Sequence, residues 1–346
     1  MDAQGYSVRR AIGRYGVGLA AWAALWVGMA SLEPIAGTAA GAEGRTVQQA
    51  VEQGLAYLAA HQQADGSYGS GTYRGNVAVT AFVGRAMLAA GSKPGAGPYG
   101  DRLTKSVDFL LGRVQDNGII ASLDAREPGP MYGHAFALMF LAECQKVAPR
   151  QEAKEKMGRA GDLIVKSQNR DGGWRYQPRP LDADLSVTVT QLMALLNARD
   201  AGLDVPQATV DRAIEYVKRS QNDDGGFRYL IQGGTSAFAR SAAAVAALYH
   251  AGGSDWPEVR QGLQYVTKFP PAMGIGQPEV FYFYGHYYAA QAVRHARAET
   301  WNAWYEAVRD RLLAQQRQDG AWPDAASVDL GTAMACLTLQ TTLATK

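Results

Sequence analysis

Cysteine is scarce in this chain, which has two among its 346 residues. Two cysteines cannot build a disulfide scaffold or a zinc module with four cysteine ligands. An excess of one charge is also lacking, because 34 Lys and Arg residues are balanced by 32 Asp and Glu residues. The formal net charge of +2 argues against a protein that binds nucleic acid through bulk electrostatics. Hydrophobic residues make up 47% of the chain, which is enough for a folded core.

The first 42 residues have the three-part layout of a secretory signal. Arginines within residues 9–14 precede an uncharged run over 15–32, and the small residues 40–42 fit a cleavage site that leaves Glu43 as the new N-terminus. The sequence therefore predicts an exported protein, periplasmic or secreted, through either the general or the twin-arginine route. Eighteen uncharged residues also reach spanning length, so a retained anchor is the alternative and would be the protein's only membrane contact.

A Gln followed by a glycine-centred turn recurs about every fifty residues. The copies lie at residues 62–68, 115–118, 168–174, 221–227 and 316–322. Gly66, Gly118, Gly172 and Gly225 are 52, 54 and 53 positions apart, whereas Gly225 and Gly320 are 95 apart. The long interval equals two shorter periods, which predicts a degenerate sixth copy near Met273 and Gly274.

Each unit reads as two helices around its turn. The helix before the turn is amphipathic, as in residues 210–217, where apolar residues recur at helical spacing among charged ones. The helix after the turn is small or apolar nearly all round, as in residues 77–90 and 241–249. Six solvated helices around six buried ones predict an all-α fold, an α6/α6 toroid, formed as one domain by residues 43–346.

The turn itself has a structural explanation. An Asp-Gly pair after a helix supplies the left-handed residue that ends it. We expect the preceding Gln to bond free N–H groups at the start of the next helix, and the aromatic residue after the glycines to pack over the turn.

Turns of Gln-x-x-Asp-Gly-Gly-Trp character at this period resemble the repeat of the terpene cyclase and protein prenyltransferase superfamily. Its members include the squalene cyclases and the β subunits of protein prenyltransferases. The resemblance covers residues 45–346 and implies that the inner helices direct their N-terminal ends at a deep apolar cavity. The candidate ligand-binding residues at those ends are Tyr73, Asn76, Tyr132, His134, Arg240, Tyr282, Tyr284, Tyr288 and Asp329. Polar residues at helix starts are also common caps, and the tyrosines can simply fill the centre.

The resemblance also implies acid chemistry at the start of an inner helix. The cyclase motif is Asp-x-Asp-Asp, and here Asp182, Ala183 and Asp184 are followed by Leu185 in place of the last Asp. A cyclase needs a carboxylic acid that stays protonated in a dry pocket, so Asp184, with Asp182, is the candidate acid. The alternative is that one of the two caps a helix over residues 186–199.

In the prenyltransferases, Asp, Cys and His hold a zinc ion, and the segment around His286 resembles the one that carries their His. The required Cys is missing, so we expect no cofactor. His134, Asp184 and His286 form the alternative zinc site.

These observations predict a toroid that binds or transforms an apolar, isoprenoid-like ligand, with Asp184, Asp182 and His286 as the catalytic candidates. One alternative is a non-catalytic exported module that holds a protein or a glycan. The other is a carbohydrate-active enzyme that uses paired carboxylates. Burial of both aspartates without backbone N–H partners would favour the acid, whereas exposure of both as helix caps would contradict it.

Overall fold

A computed structural model describes residues 45–122, 129–269, 282–324 and 326–343. The predicted signal over residues 1–42 and the degenerate turn near Met273 and Gly274 lie outside the described residues.

The described residues form twelve α-helices and no β-strand beyond isolated bridges. In chain order the helices are α1 (Val47–Ala60), α2 (Val77–Ala89), α3 (Gly100–Gly112), α4 (Met131–Val147), α5 (Gln151–Ser167), α6 (Leu185–Asp200), α7 (Gln207–Arg219), α8 (Phe238–His250), α9 (Pro257–Val266), α10 (Tyr282–Val293), α11 (Ala298–Gln315) and α12 (Val328–Gln340). A short 3-10 helix, Gly71–Tyr73, lies between α1 and α2. None of the helices in these ranges combines the length and the apolarity needed to cross a bilayer.

The even-numbered helices form a closed inner ring. Each packs against the next, from α2 through α4, α6, α8 and α10 to α12, and α12 packs against α2. The odd-numbered helices lie outside this ring, most of them against two neighbouring inner helices, and α11 also contacts α1. The predicted α6/α6 toroid is therefore confirmed.

Burial follows the two helical patterns in the sequence. In the outer helix α7 the buried positions are confined to one face, which includes Val210, Ala213 and Val217. In the inner helix α6 every residue from Val187 to Ala198 is buried, because other helices surround it.

The turns join each unit to the next through the Gln side chain. Gln316 Nε2 donates to Gly320 O at 2.9 Å within its turn and to Ala50 O of α1 at 2.8 Å. The same pair of bonds is made by Gln62, Gln168 and Gln221. The partners are carbonyl oxygens, so the expectation that Gln bonds free N–H groups was wrong. The bond from Gln316 to α1 links the last turn to the first helix and closes the ring.

A second link ties each turn to its own inner helix. The backbone N–H of the turn's aromatic residue donates to a side chain in the first turns of that helix, as Trp174 N does to Thr188 Oγ1 at 3.0 Å. The equivalent acceptors are Thr80, Ser241 and Thr332. In the second unit the acceptor is His134 Nδ1, which binds Ile120 N at 3.0 Å.

We expect Thr188→Val to lower the free energy of unfolding by about 2 kcal/mol, because it leaves the buried Trp174 N–H without its acceptor. Urea denaturation measures the change. Thr104→Val is the matched control, since the Thr104 hydroxyl bonds only Gly100 O on a partly exposed helix. A similar loss in both variants would contradict the role given to Thr188.

Candidate functional site

Asp184 occupies the start of α6 and is completely buried. Its backbone N–H donates to Trp174 O at 3.0 Å, and its Oδ1 accepts from Val187 N at 2.9 Å. The second carboxyl oxygen, Oδ2, accepts no hydrogen bond. Asp184 therefore caps its helix, as the alternative interpretation predicted, and also keeps one buried oxygen free for a proton.

Burial raises the pKa of Asp184 to about 6. The Val187 N–H, the Arg175 guanidinium, the Tyr229 hydroxyl and the Ser186 N–H act in the opposite direction, because each favours the ionised form. The loss of water outweighs these four groups, so the protonated carboxylic acid persists to a higher pH than in an ordinary aspartate.

Arg175 lies between the two aspartates of the Asp-x-Asp segment. Its Nε is 3.4 Å from Asp182 Oδ2 and 3.9 Å from Asp184 Oδ2. Its guanidinium carbon is 5.5 Å from the ring centre of Tyr176 and 5.8 Å from that of Tyr229. The arginine is thus held by two aromatic rings beside the buried acid.

Partly exposed tyrosines surround this pair of charges. The hydroxyl groups of Tyr176 and Tyr229 are 2.6 Å apart, and the rings of Tyr176 and Tyr132 are 6.1 Å apart. Burial raises the pKa of each of these three phenols, and the nearby Asp184 carboxylate adds to the effect. The phenols therefore remain neutral hydrogen-bonding groups at physiological pH.

Two further inner helices contribute to the same end of the ring. Tyr284, near the start of α10, has a pKa raised chiefly by burial, and Asp184 contributes to that rise. Arg240, near the start of α8, donates from Nε to Phe227 O, and its guanidinium lies 6.0 Å from the ring centre of Tyr229. We call Asp184, Arg175, Tyr132, Tyr176, Tyr229, Tyr284 and Arg240 the acid cluster.

The centre of the ring beneath the acid cluster is filled. The rings of Phe82 and Phe136 are 4.6 Å apart, and Tyr287 meets Phe82 edge-on at 5.4 Å. Since α12 separates α2 from α10 in the ring, the contact between Phe82 and Tyr287 crosses the centre. The deep apolar cavity that the resemblance implied is not observed among the described residues.

The other two catalytic candidates lie in different surroundings. The Asp182 side chain is 60% exposed, so the two aspartates do not share one environment. His286 is buried between Phe238 of α8 and Trp304 of the outer helix α11. Its Nδ1 is 2.8 Å from Tyr282 O, and burial lowers its pKa to about 4.

The structure does not bring the three proposed zinc ligands together. His134 uses both ring nitrogens on backbone groups: Nδ1 accepts from Ile120 N, and Nε2 is 3.2 Å from Ala160 O. Across the described ranges, no group of three or more His, Cys, Asp and Glu side chains is arranged to hold a metal ion. His134, Asp184 and His286 therefore do not fit a zinc site.

The remaining candidate residues cap helices, link repeat units or pack against neighbouring side chains. Asn76 caps α2 by accepting from Ala78 N and Val79 N. Asp329 Oδ2 accepts from Gly69 N at 2.8 Å and links the sixth unit to the first. Tyr282 faces Arg311 of α11, Tyr288 is completely buried against other tyrosines, and Tyr73 lies in the 3-10 helix.

Sequence reasoning missed Arg175, Tyr176 and Tyr229. A signal was present, because both tyrosines follow the aromatic residue of their turn by two positions, one repeat apart. Helix capping and packing explain the repeated turn, so the sequence pattern alone does not mark the residues just after it as part of a site.

No family model and no curated protein matches the sequence. Several solved structures share the fold. An α-1,6-mannanase variant of Salegentibacter sp. HEL1_6, in complex with α-1,6-mannotriose, aligns with a TM-score of 0.66 and 10% identity over 86% of this chain and 100% of its own. A cellobiose 2-epimerase of Bacillus thermoamylovorans B4167 aligns with a TM-score of 0.62 and 13% identity over 85% and 98%. The type II terpene cyclase MstE of Scytonema, as a variant with merosterolic acid A, aligns with a TM-score of 0.59 and 16% identity over 86% and 96%. At these identities the likeness establishes the toroid fold, which terpene cyclases share with carbohydrate-active enzymes.

Proposed function

We propose that this chain is an acid catalyst that acts on an apolar, isoprenoid-like ligand, with Asp184 as the proton donor. The observation that carries the proposal is the buried Asp184 Oδ2, which accepts no hydrogen bond and lies 3.9 Å from Arg175 Nε. We also propose that the protein works outside the cytoplasm, as the N-terminal residues indicate.

Helix capping alone does not require a carboxylate at this position. Asn76 performs the same capping function in the first unit with a neutral amide. Asn and Asp are about equally good caps. Asp184 is buried, its pKa is raised, and only Oδ1 caps the helix. A chemical role for Oδ2 therefore explains this aspartate better than helix capping alone.

The chemistry follows from the acid cluster. A proton on Asp184 Oδ2 would pass to a carbon of an alkene, so that the O–H bond and the C=C π bond break and one C–H bond forms. The faces of Tyr132, Tyr176 and Tyr229 would stabilise the resulting carbocation, and the Val187 N–H and Arg175 would stabilise the carboxylate left behind. The carboxylate would then take a proton from a neighbouring carbon of the cation, so that a C–H bond breaks, a new C=C bond forms and the acid is restored. Because the centre of the ring is filled, the ligand would lie over the partly exposed rim.

A second candidate is favoured by the position of Asp182. Its Oδ2 lies 3.4 Å from Arg175 Nε, and Asp184 Oδ2 lies 3.9 Å from the same atom, so the two oxygens are less than ~7.5 Å apart. A buried acid beside an exposed carboxylate is the arrangement that glycosidases use. Carbohydrate cleavage is therefore the alternative reaction at the same site.

The test uses purified wild type, Asp184→Asn and Asp182→Asn. Each is incubated with squalene, geranylgeraniol or α-1,6-mannotriose, and the products are separated by chromatography and identified by mass spectrometry and retention time, because an isomer has the same mass as its substrate. We expect wild type and Asp182→Asn to isomerise an isoprenoid and Asp184→Asn to leave it unchanged. Loss of mannotriose cleavage in both variants would instead identify the glycosidase. Binding without conversion, equal in wild type and Asp184→Asn, would contradict catalysis and identify a binding module.

A further inference from the structure

A second pocket lies at the opposite end of the inner ring from the acid cluster. Its lining includes Arg85 and Leu88 near the end of α2, Glu143 and Lys146 near the end of α4, and Leu337 near the end of α12. The pocket is an open groove with a volume of about 480 Å³, which is within the range of small-molecule sites. Asp184 lies at a helix start, so the two sites are on different faces of the toroid and can be tested separately.

A largely buried ion pair forms the floor of this pocket. Arg85 Nε is 3.0 and 3.1 Å from the two carboxyl oxygens of Glu143, and its Nη2 is 2.9 Å from one of them. Arg85 Nη1 donates to Tyr287 OH at 2.6 Å. Although burial opposes the charge of Arg85, the Glu143 carboxylate keeps its pKa raised. A pair of this kind adds little net stability, because removing two charges from water costs about as much as their attraction returns.

The rim of the pocket carries two more positive charges. Lys93 and Lys146 are both exposed, and neither ammonium group is paired with a carboxylate of the described residues. Since Glu143 neutralises only Arg85, the lining has a formal charge of +2. This charge favours an anionic group at the mouth.

The walls between the charged floor and the charged rim are apolar. Leu88, Val147 and Leu337 line them, and Val147 is 48% exposed, which is unusual for a valine in this fold. Burying these side chains under an aliphatic chain would remove apolar surface from water.

We infer that this pocket binds a small amphipathic carboxylate, with its anionic head between Lys93 and Lys146 and its aliphatic chain against Leu88, Val147 and Leu337. The charge selects the head group, and the walls select the chain. The inference does not depend on the proposed function of the acid cluster.

The test is calorimetric titration of the full protein with decanoate, and with decanol as its uncharged analogue. We expect wild type and Asp184→Asn to bind decanoate equally, and to bind decanol at least about tenfold more weakly. The double variant Lys93→Glu/Lys146→Glu should bind decanoate at least about tenfold more weakly than wild type. The matched control, Lys105→Glu/Lys154→Glu, reverses two exposed lysines on outer helices and should leave the affinity unchanged.

Three results would overturn the inference. They are the absence of decanoate binding at millimolar concentration, equal affinity for decanol, and equal loss in both double variants. Thermal unfolding of each variant checks that it is folded, and all four substituted lysines are exposed, so we expect no loss of stability.

Discussion

As the pH rises, the difference in free energy of unfolding between Asp184→Asn and wild type will shift in favour of the variant. The pKa of Asp184 is about 6 in the folded protein and near 3.8 in the unfolded chain. Between these values the native state holds a proton that the unfolded state has lost. The stability of wild type therefore falls as the pH rises through this window, by about 2 kcal/mol between pH 4 and pH 7. The amide introduced by Asp184→Asn does not titrate, so the variant lacks this loss.

The measurement is the free energy of unfolding in urea for both proteins at several pH values from 4 to 7. Taking the difference between them removes the contributions of other buried carboxyls, such as Asp324, whose pKa burial also raises to about 6. Asp182→Asn is the matched control, because this neighbouring carboxyl is 60% exposed. At pH 7 the free energy of unfolding of Asp182→Asn should differ from that of wild type by less than about 0.5 kcal/mol. A constant difference for Asp184→Asn as well would show that the acid is not perturbed.

Gly320→Ala will lower the free energy of unfolding by about 4 kcal/mol. Gly320 has φ of +88°, a conformation that costs an L-residue about 1 to 2 kcal/mol. A Cβ there would lie 2.5 Å from Gln53 O, a backbone atom of α1 that cannot move without shifting its helix. Relieving such a clash costs about 1 to 3 kcal/mol more. The substitution opens the contact that joins the sixth unit to the first.

Gly158→Ala is the control for that change. Gly158 lies within α5, and a Cβ there would meet nothing within 4 Å. Alanine should stabilise this helix by about 0.5 to 1 kcal/mol. Urea denaturation of both variants gives the comparison. A loss below about 1 kcal/mol for Gly320→Ala would contradict a rigid closure between α11 and α1.

The candidate site could be predicted only in part, because its residues belong to separate repeats. Asp184 was identified from the Asp-x-Asp pattern and its position at a helix start. The sequence could not predict that Asp184 is buried while Asp182 is exposed, because a spacing of two residues does not determine which side chain faces water. The sequence predicts His134 as a possible ligand because histidine commonly binds metals, whereas its bonds to Ile120 N and Ala160 O show that it takes the place of the Thr or Ser of other units.

By itself, the sequence determined the twelve-helix architecture, the division into inner and outer helices and the turns between them. These features depend on local periodicity and on glycine at left-handed positions, and both can be read along the chain. Only the tertiary structure decided that Arg175, Tyr176 and Tyr229 surround Asp184, that the centre of the ring is filled, and that Gln316 closes the ring onto α1. Those outcomes depend on contacts between side chains from different units. Burial and packing determine these contacts, and the repeat period does not predict them.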